Sequence, residues 1–173
     1  MDFVLIKLRW LLIGSIILEA SCGFATRIRN DKIYRLVYEG RNDELIALYK
    51  KDLETGQHSG PDVYLGLHSA YLCKPDYHAA KRYLLEGLRH FPEDGHIMWN
   101  AGMYYAYIEN LCDKGLEFLL KAKEVYKTSD WKLLIDEEIR HVENLSEEMG
   151  GEKHCKAKPE DYLRLICVTR SDE

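Results

Sequence analysis

The sequence predicts an all-α protein, and two observations support this fold class. Only four prolines occur in 173 residues, and three of them, Pro61, Pro92 and Pro159, stand where helical periodicity begins or ends. Proline fits the first turn of a helix but breaks its interior. The second observation is a spacing pattern that recurs along residues 61–126. Together they predict about three helical hairpins plus a C-terminal capping helix.

Composition and charge narrow the class of protein further. A hydrophobic fraction of 46% with 31% charged residues is ordinary for a folded chain, and 173 residues suit one domain. Lys plus Arg number 24 against 29 Asp plus Glu, a formal charge of −5. Because phosphate binding requires concentrated basic charge, we do not expect nucleic acid as a partner.

The recurring pattern describes two copies of one helical hairpin. The first helices match at an offset of thirty-four residues, through Tyr64, Leu67, His68 and Tyr71 in one copy and Met98, Ala101, Gly102 and Tyr105 in the other. The second helices match at an offset of thirty-five, through Ala80, Leu84 and Gly87 in one copy and Gly115, Leu119 and Ala122 in the other. We therefore expect one extra residue in the turn that contains Cys112.

A period near 34 residues, with a small residue opening the second helix, resembles the tetratricopeptide repeat. The resemblance covers residues 61–126 and is degenerate. It implies that the hairpins stack into a right-handed α-α superhelix. Tyr64 stands where the family has Trp, His68 where it has Gly, and Leu84 where it has an aromatic residue. His68 is interpreted as a packing residue.

The chain divides into three predicted segments. Residues 1–25 form a signal, residues 26–149 form the helical repeat domain, and residues 150–173 form a charged linker with a short C-terminal helix. The repeat domain starts with a degenerate helical pair. It ends with a one-sided helix from Trp131 to about Met149, which would cover the open end of the stack.

The resemblance implies a concave groove, lined by first helices, that binds a peptide or a partner helix. Its apolar and aromatic surface suits a hydrophobic anchor. The alternative is that part of this surface is core, covered by the N-terminal pair or by the tail. Only Asn100 matches the carboxylate clamp of the chaperone-binding members, so carboxylate clamping is not expected. The residues placed in the groove are Leu65, Ser69, Leu72, Trp99, Asn100, Met103, Ala106 and Tyr107.

The N-terminus has the order of an export signal. Lys7 and Arg9 precede an uncharged apolar run from Trp10 to Leu18, and small residues follow. The run of nine residues is shorter than the roughly 20 that a bilayer requires. An ordinary buried helix is the alternative interpretation.

Two routes of processing stay open for this signal, and an uncleaved N-terminal anchor is a third possibility. A signal peptidase could cut before Thr26, after the small residues of Gly23-Phe24-Ala25. The segment ending at Cys22 also resembles the lipobox of bacterial lipoproteins, in which the cysteine is lipidated and tethers the protein to a membrane. It departs from that motif at Glu19. The predicted location is exported: periplasmic or membrane-anchored in a bacterium, secreted otherwise.

Export would allow the remaining cysteines to form disulfides. Four cysteines follow the signal, Cys73, Cys112, Cys155 and Cys167, and they permit three pairings. Repeat geometry favours Cys73 with Cys112, which leaves Cys155 and Cys167 to close a C-terminal loop. Free thiols are the alternative. No Cys-x-x-Cys pair occurs, so neither a zinc site nor thioredoxin-like chemistry is expected. We expect no other metal site and no cofactor.

The sequence offers no residue set for catalysis, because it lacks a Gly-rich phosphate loop, a His-Glu-x-x-His motif and a nucleophile elbow. We therefore expect a non-catalytic interaction module that binds a protein or peptide partner in the groove. The alternative function is a small-ligand carrier, or an accessory subunit of an exported enzyme or transporter. That function would use the same aromatic patch as a pocket.

Overall fold

The computed structural model describes residues 29–126, 130–149 and 152–167. The predicted export signal, with Cys22 as its lipidation candidate, lies outside the described residues. Among the described helices, none combines the length and the apolar character needed to cross a bilayer.

The described chain forms two units, divided after Glu39. The first contains one described helix, α1, over residues 29–38. The second contains all other elements. They are α2 (Asn42–Thr55), α3 (Pro61–Leu72), α4 (Tyr77–His90), α5 (Gly95–Met103), a π-helical segment (Tyr104–Ile108), α6 (Cys112–Val125), α7 (Asp130–Leu145), β1 (Ser146–Met149), β2 (Glu152–Cys155) and α8 (Pro159–Ile166). The all-α class is confirmed, and from α2 to α7 each helix packs against the next.

The helix starts follow from the local sequence. Pro61 occupies the first turn of α3, where its missing N–H is not required. The Asp76 carboxylate accepts a 3.0 Å hydrogen bond from Ala79 N at the start of α4. Asp94 accepts one of 2.9 Å from Ile97 N at the start of α5. Such caps satisfy backbone donors that have no partner inside the helix, and each contributes about 1 kcal/mol.

Small residues bring α5 and α6 into backbone contact. A Cβ added at Gly102 would lie 2.6 Å from Leu119 Cγ. A Cβ added at Gly115 would lie 2.9 Å from both the Gly102 carbonyl oxygen and the Ala106 Cβ. The close approach therefore requires glycine at both positions.

The extra residue between the two hairpins lies in a helix, and its predicted location in the turn is wrong. Tyr104–Ile108 is a π-helical segment that continues α5. Glu109 N donates to Tyr104 O at 3.3 Å, which is the i→i+5 bond of a π-helix. A π-turn accommodates one inserted residue without ending the helix. For this reason the offset of the second helices is one residue longer.

The C-terminal boundary also differs from the prediction. Helix α7 ends at Leu145, before the predicted end near Met149. The next residues form β1, which pairs antiparallel with β2 from Ser146↔Cys155 to Met149↔Glu152. The predicted linker therefore contains a strand. Its short polar sequence has no hydrophobic alternation, so periodicity could not reveal it.

The four predicted cysteines all form disulfides, but the favoured pairing was wrong. The pairs are Cys73–Cys167, with Cα atoms 5.4 Å apart, and Cys112–Cys155, with Cα atoms 5.1 Å apart. The free-thiol alternative is wrong as well. The favoured pairing assumed that the tail closes a loop on itself, whereas α8 folds back onto the helical stack.

Gly115→Ala should lower the free energy of unfolding by about 1 kcal/mol. Overpacking against the α5 backbone costs about 1–3 kcal/mol and outweighs the gain of about 1 kcal/mol in helix propensity. Urea denaturation followed by circular dichroism measures the change. Glu124→Ala, at an exposed position of α6, is the control and should be near neutral. A more stable Gly115→Ala protein would contradict the close approach of the two helices.

Non-reducing trypsin digestion should identify the disulfide pairing. Each of the four cysteines falls in a different tryptic peptide. Mass spectrometry should find the peptide containing Cys73 linked to the one containing Cys167, and Cys112 linked to Cys155. A Cys73–Cys112 cross-link as the main species would contradict the fold of the C-terminal segment.

Candidate functional site

Six of the eight predicted groove residues belong to one hydrophobic core or pack against it, but the eight do not form an open surface. Three of the eight, Leu65, Ser69 and Trp99, are partly exposed. The other five have exposed fractions of 8% or less, and they are Leu72, Asn100, Met103, Ala106 and Tyr107. The expectation of an open groove was therefore wrong. The alternative, that the tail covers part of this surface, is confirmed.

The groove is occupied by Tyr162 of α8, a fully buried side chain. Its ring centroid lies 5.9 Å from that of Tyr107 in the π-helical segment. Its hydroxyl donates a 3.3 Å hydrogen bond to Asn100 Oδ1. Burial, with a smaller contribution from the Glu138 charge, raises the pKa of the Tyr162 phenol. The phenol is therefore neutral and keeps its proton for Asn100.

Asn100 is oriented for this contact by its own helix. Its Nδ2 donates to His96 O at 2.8 Å, one turn earlier in α5. This bond directs Oδ1 toward the Tyr162 hydroxyl. Asn100 therefore accepts a hydrogen bond from the occupant of the groove.

Helix α7 contributes an acid and a histidine beside the two tyrosines. Burial raises the pKa of the Glu138 carboxyl, while the nearby His141 and a hydrogen bond from Tyr107 act in the opposite direction. The His141 ring stacks on Tyr107 with centroids 6.2 Å apart. Leu163 of α8 packs against the same core. The groove is thus formed by α5, the π-helical segment and α7.

Asn110 attaches the segment that leads into α8. Its backbone has a positive φ of 56°, a conformation that asparagine tolerates better than most residues. Its carbonyl accepts a hydrogen bond from Cys155 N at 3.2 Å. With its amide nitrogen facing the tail, the side chain donates to Ala157 O at 3.1 Å and to Cys155 O at 3.2 Å. Asn110 thus helps to fix the path of the chain toward the groove.

Tyr162 and Asn110 belong to this candidate site, and the sequence pattern did not indicate either of them. The apolar pattern of α8 was visible, but a pattern on one helix does not show which surface the helix covers. Nothing in the sequence marks Asn110 beyond its place in a turn. Both become significant only through contacts between distant parts of the chain.

Trp99 contacts α7 at one end of the groove. Its ring lies edge-on to Trp131 at 6.2 Å. Trp131 also contacts His96 at 4.7 Å and stacks on Tyr126 at 5.9 Å. These four aromatic rings attach the start of α7 to α5 and α6. Trp99 therefore helps to build the wall of the groove.

His68 is fully buried in α3, as its interpretation as a packing residue requires. Nδ1 lies 3.0 Å from Ala80 O and donates to it, since a carbonyl can only accept. The ring meets Tyr104 edge-on at 5.6 Å. Burial lowers the pKa of the imidazole from 6.5 to about 4, although the bond to Ala80 opposes the shift. His68 is therefore neutral at pH 7.

Within the described ranges, no group of three or more His, Cys, Asp or Glu side chains could hold a metal ion. Comparison of the chain with protein-family models, curated proteins and solved structures finds no match. The function is therefore argued from the geometry of the groove.

The buried His68 should make stability fall in mild acid. Its pKa is about 4 in the folded protein and 6.5 when exposed, so the unfolded chain binds more protons between these values. The contribution of neutral, buried His68 to the stability of the fold is complete above pH 6.5 and is lost as the pH falls toward 4. Between pH 7 and 5 the free energy of unfolding should fall by about 2 kcal/mol for this group.

Urea titrations of the wild type and of His68→Asn at both pH values test this. Asparagine keeps a donor for Ala80 O but does not titrate, so the variant should lose about 2 kcal/mol less. Glu138, whose raised pKa acts with the opposite sign, is present in both proteins and cancels in the comparison. If the free energy of unfolding falls equally in the two proteins between pH 7 and 5, His68 is not a neutral, buried group in the folded protein.

Proposed function

We propose that this protein is a non-catalytic protein-binding module, built from tetratricopeptide-like hairpins, whose groove accepts a helical segment anchored by a tyrosine. One observation carries the proposal. Tyr162 belongs to a helix of eight residues, yet it is fully buried against the π-helical segment and hydrogen-bonded to Asn100. In this proposal α8 is the resident occupant of a groove that also receives a partner.

The shape of α8 supports a receptor groove. Isolated helices shorter than about 12–15 residues are marginal in water, so α8 depends on the groove for its conformation. Its contacts come from one face, through Tyr162, Leu163 and Ile166. Leu165 is 66% exposed on the other side. Anchor residues spaced one helical turn apart are the pattern by which an amphipathic helix binds a groove.

The disulfides support the predicted export of the protein. Two disulfides in a chain of this size are typical of an oxidising compartment. An export signal at residues 1–25 would direct the chain to such a compartment. We therefore propose an exported location, with a membrane tether if Cys22 is lipidated.

The small-ligand alternative has less support. It requires the aromatic patch to form an empty pocket, and Tyr162 occupies that patch. The interaction module is therefore the function we put forward.

A peptide supplied in trans tests the groove. The receptor is the full chain with Cys73→Ser, Cys167→Ser and Tyr162→Ala, which removes the covalent link and the anchor of its own tail. The probe is a fluorescein-labelled peptide of residues 156–167 with Cys167→Ser. Fluorescence anisotropy should show saturable binding. A probe with Tyr162→Ala should bind about 100-fold more weakly, because a buried aromatic anchor is lost.

A probe with Leu165→Ala is the matched control and should bind like the original, since Leu165 is exposed. Circular dichroism shows whether the receptor is folded. If a folded receptor binds no probe, or binds the Tyr162→Ala probe equally well, the proposed function fails.

A further inference from the structure

The two disulfides differ in their exposure to solvent. Cys112 is fully buried and Cys155 is 7% exposed, whereas Cys73 and Cys167 are both partly exposed. A surface cavity of about 330 Å³ lies beside the exposed pair, lined by Leu72, Pro75, Leu163 and the charged Glu160 and Arg164. A reductant can therefore approach Cys73–Cys167 while Cys112–Cys155 is shielded.

The two disulfides also differ in what they hold. Cys155 ends β2, four residues before α8 begins, and Cys167 directly follows the last residue of α8. Opening Cys112–Cys155 would expose sulfur atoms of the core. Opening Cys73–Cys167 would free only the far end of α8, because the hairpin and Asn110 still hold the near end.

We propose that Cys73–Cys167 is a thiol-operated latch, whose reduction releases α8 and opens the groove to a partner helix that carries a tyrosine. This inference rests on the proposed function of the groove. The partner would be a helix with the anchors of α8, tyrosine followed by apolar residues one and four positions later. The redox state of Cys73–Cys167 then determines when that partner can bind.

The chemistry is thiol–disulfide exchange with a dithiol reductant. One thiolate of the reductant attacks a sulfur of the latch, the S–S bond breaks, and the other latch cysteine leaves as a thiolate that takes up a proton. The second thiol of the reductant, after losing its proton, then attacks the mixed disulfide. The reductant leaves as a disulfide, and the remaining latch thiolate is protonated. Two electrons and two protons pass from the reductant to the protein.

Release follows from the loss of the covalent link. While the latch is closed, α8 cannot leave, and its effective concentration at the groove exceeds that of any separate partner. The latch also closes a loop of 94 residues, against 43 for the buried disulfide. Once it is open, the hairpin and Asn110 still hold the chain before α8. The helix itself is then kept in the groove only by the noncovalent contacts of Tyr162 and its neighbours, and with eight residues it is too short to persist without the groove.

The experiment uses the wild-type full chain, titrated with dithiothreitol in the presence of the labelled 156–167 probe carrying Cys167→Ser. Alkylation followed by peptide mapping shows which cysteines open at each step, and anisotropy reports probe binding. Cys73 and Cys167 should be alkylated at least 10-fold faster than Cys112 and Cys155. Probe binding should appear with the first pair and disappear on reoxidation.

Two variants separate the latch from other effects. Cys73→Ser/Cys167→Ser should bind the probe without reductant, and hydrogen exchange in residues 159–166 should be about 100-fold faster than in the wild type. Cys112→Ser/Cys155→Ser keeps the latch closed. If it is folded by circular dichroism, it should bind no probe before reduction.

The possible results distinguish the latch from the groove. If Cys112–Cys155 opens first, the latch is wrong. The latch is also wrong if Cys73→Ser/Cys167→Ser keeps α8 protected from hydrogen exchange and binds no probe, while the receptor with Tyr162→Ala does bind it. In that case the proposed function of the groove is still supported. If neither protein binds the probe, both proposals fail. Early opening of Cys73–Cys167 with reversible probe binding supports both.

Discussion

The burial of Tyr162 against Tyr107 is the contact on which the C-terminal half of the molecule depends. A buried phenol needs a hydrogen-bond acceptor, and Asn100 supplies it because its amide is oriented by His96 O. The other features of the tail keep this contact in place. Cys112–Cys155 fixes the chain before α8, and Cys73–Cys167 fixes it after α8.

The π-helical segment provides the partner surface for that contact. Its four buried residues run from Tyr104 to Tyr107, and the segment contacts α8 directly. An inserted residue rotates the side chains that follow it by about 100° relative to a regular α-helix. The insertion therefore changes which residues of this helix face the groove. π-Bulges are frequent at functional sites, and this one lies where the stack of hairpins receives its occupant.

An occupied groove changes how binding must work. In the proposed function, a partner would have to displace a helix that belongs to the same chain, so its affinity would depend on how firmly α8 is held as well as on the partner's own contacts. The same disulfide that stabilises the tail would then limit access to the groove. On this proposal, stability and recognition would be coupled at Cys73–Cys167, since one bond would affect both.

The sequence by itself determined the helical class, most helix boundaries and the core of each hairpin. Asp76 and Asp94 cap helices through atoms three residues away, and Leu67, Leu84 and Leu119 are buried at the positions that periodicity predicts. These features depend on neighbours within one or two turns, which a local pattern can reveal. Boundaries were less certain where β1 replaced the end of a helix.

Only the tertiary structure decided the pairing of the cysteines and the occupant of the groove. The Tyr162–Asn100 bond joins residues 62 apart, and Cys73–Cys167 joins residues 94 apart. From the sequence alone, several helices could cover the same apolar stripe equally well, because the hydrophobic effect is non-directional. The choice of α8 required a buried acceptor for its tyrosine, a π-turn in α5 and cross-links on both sides, and these come together only in the folded chain.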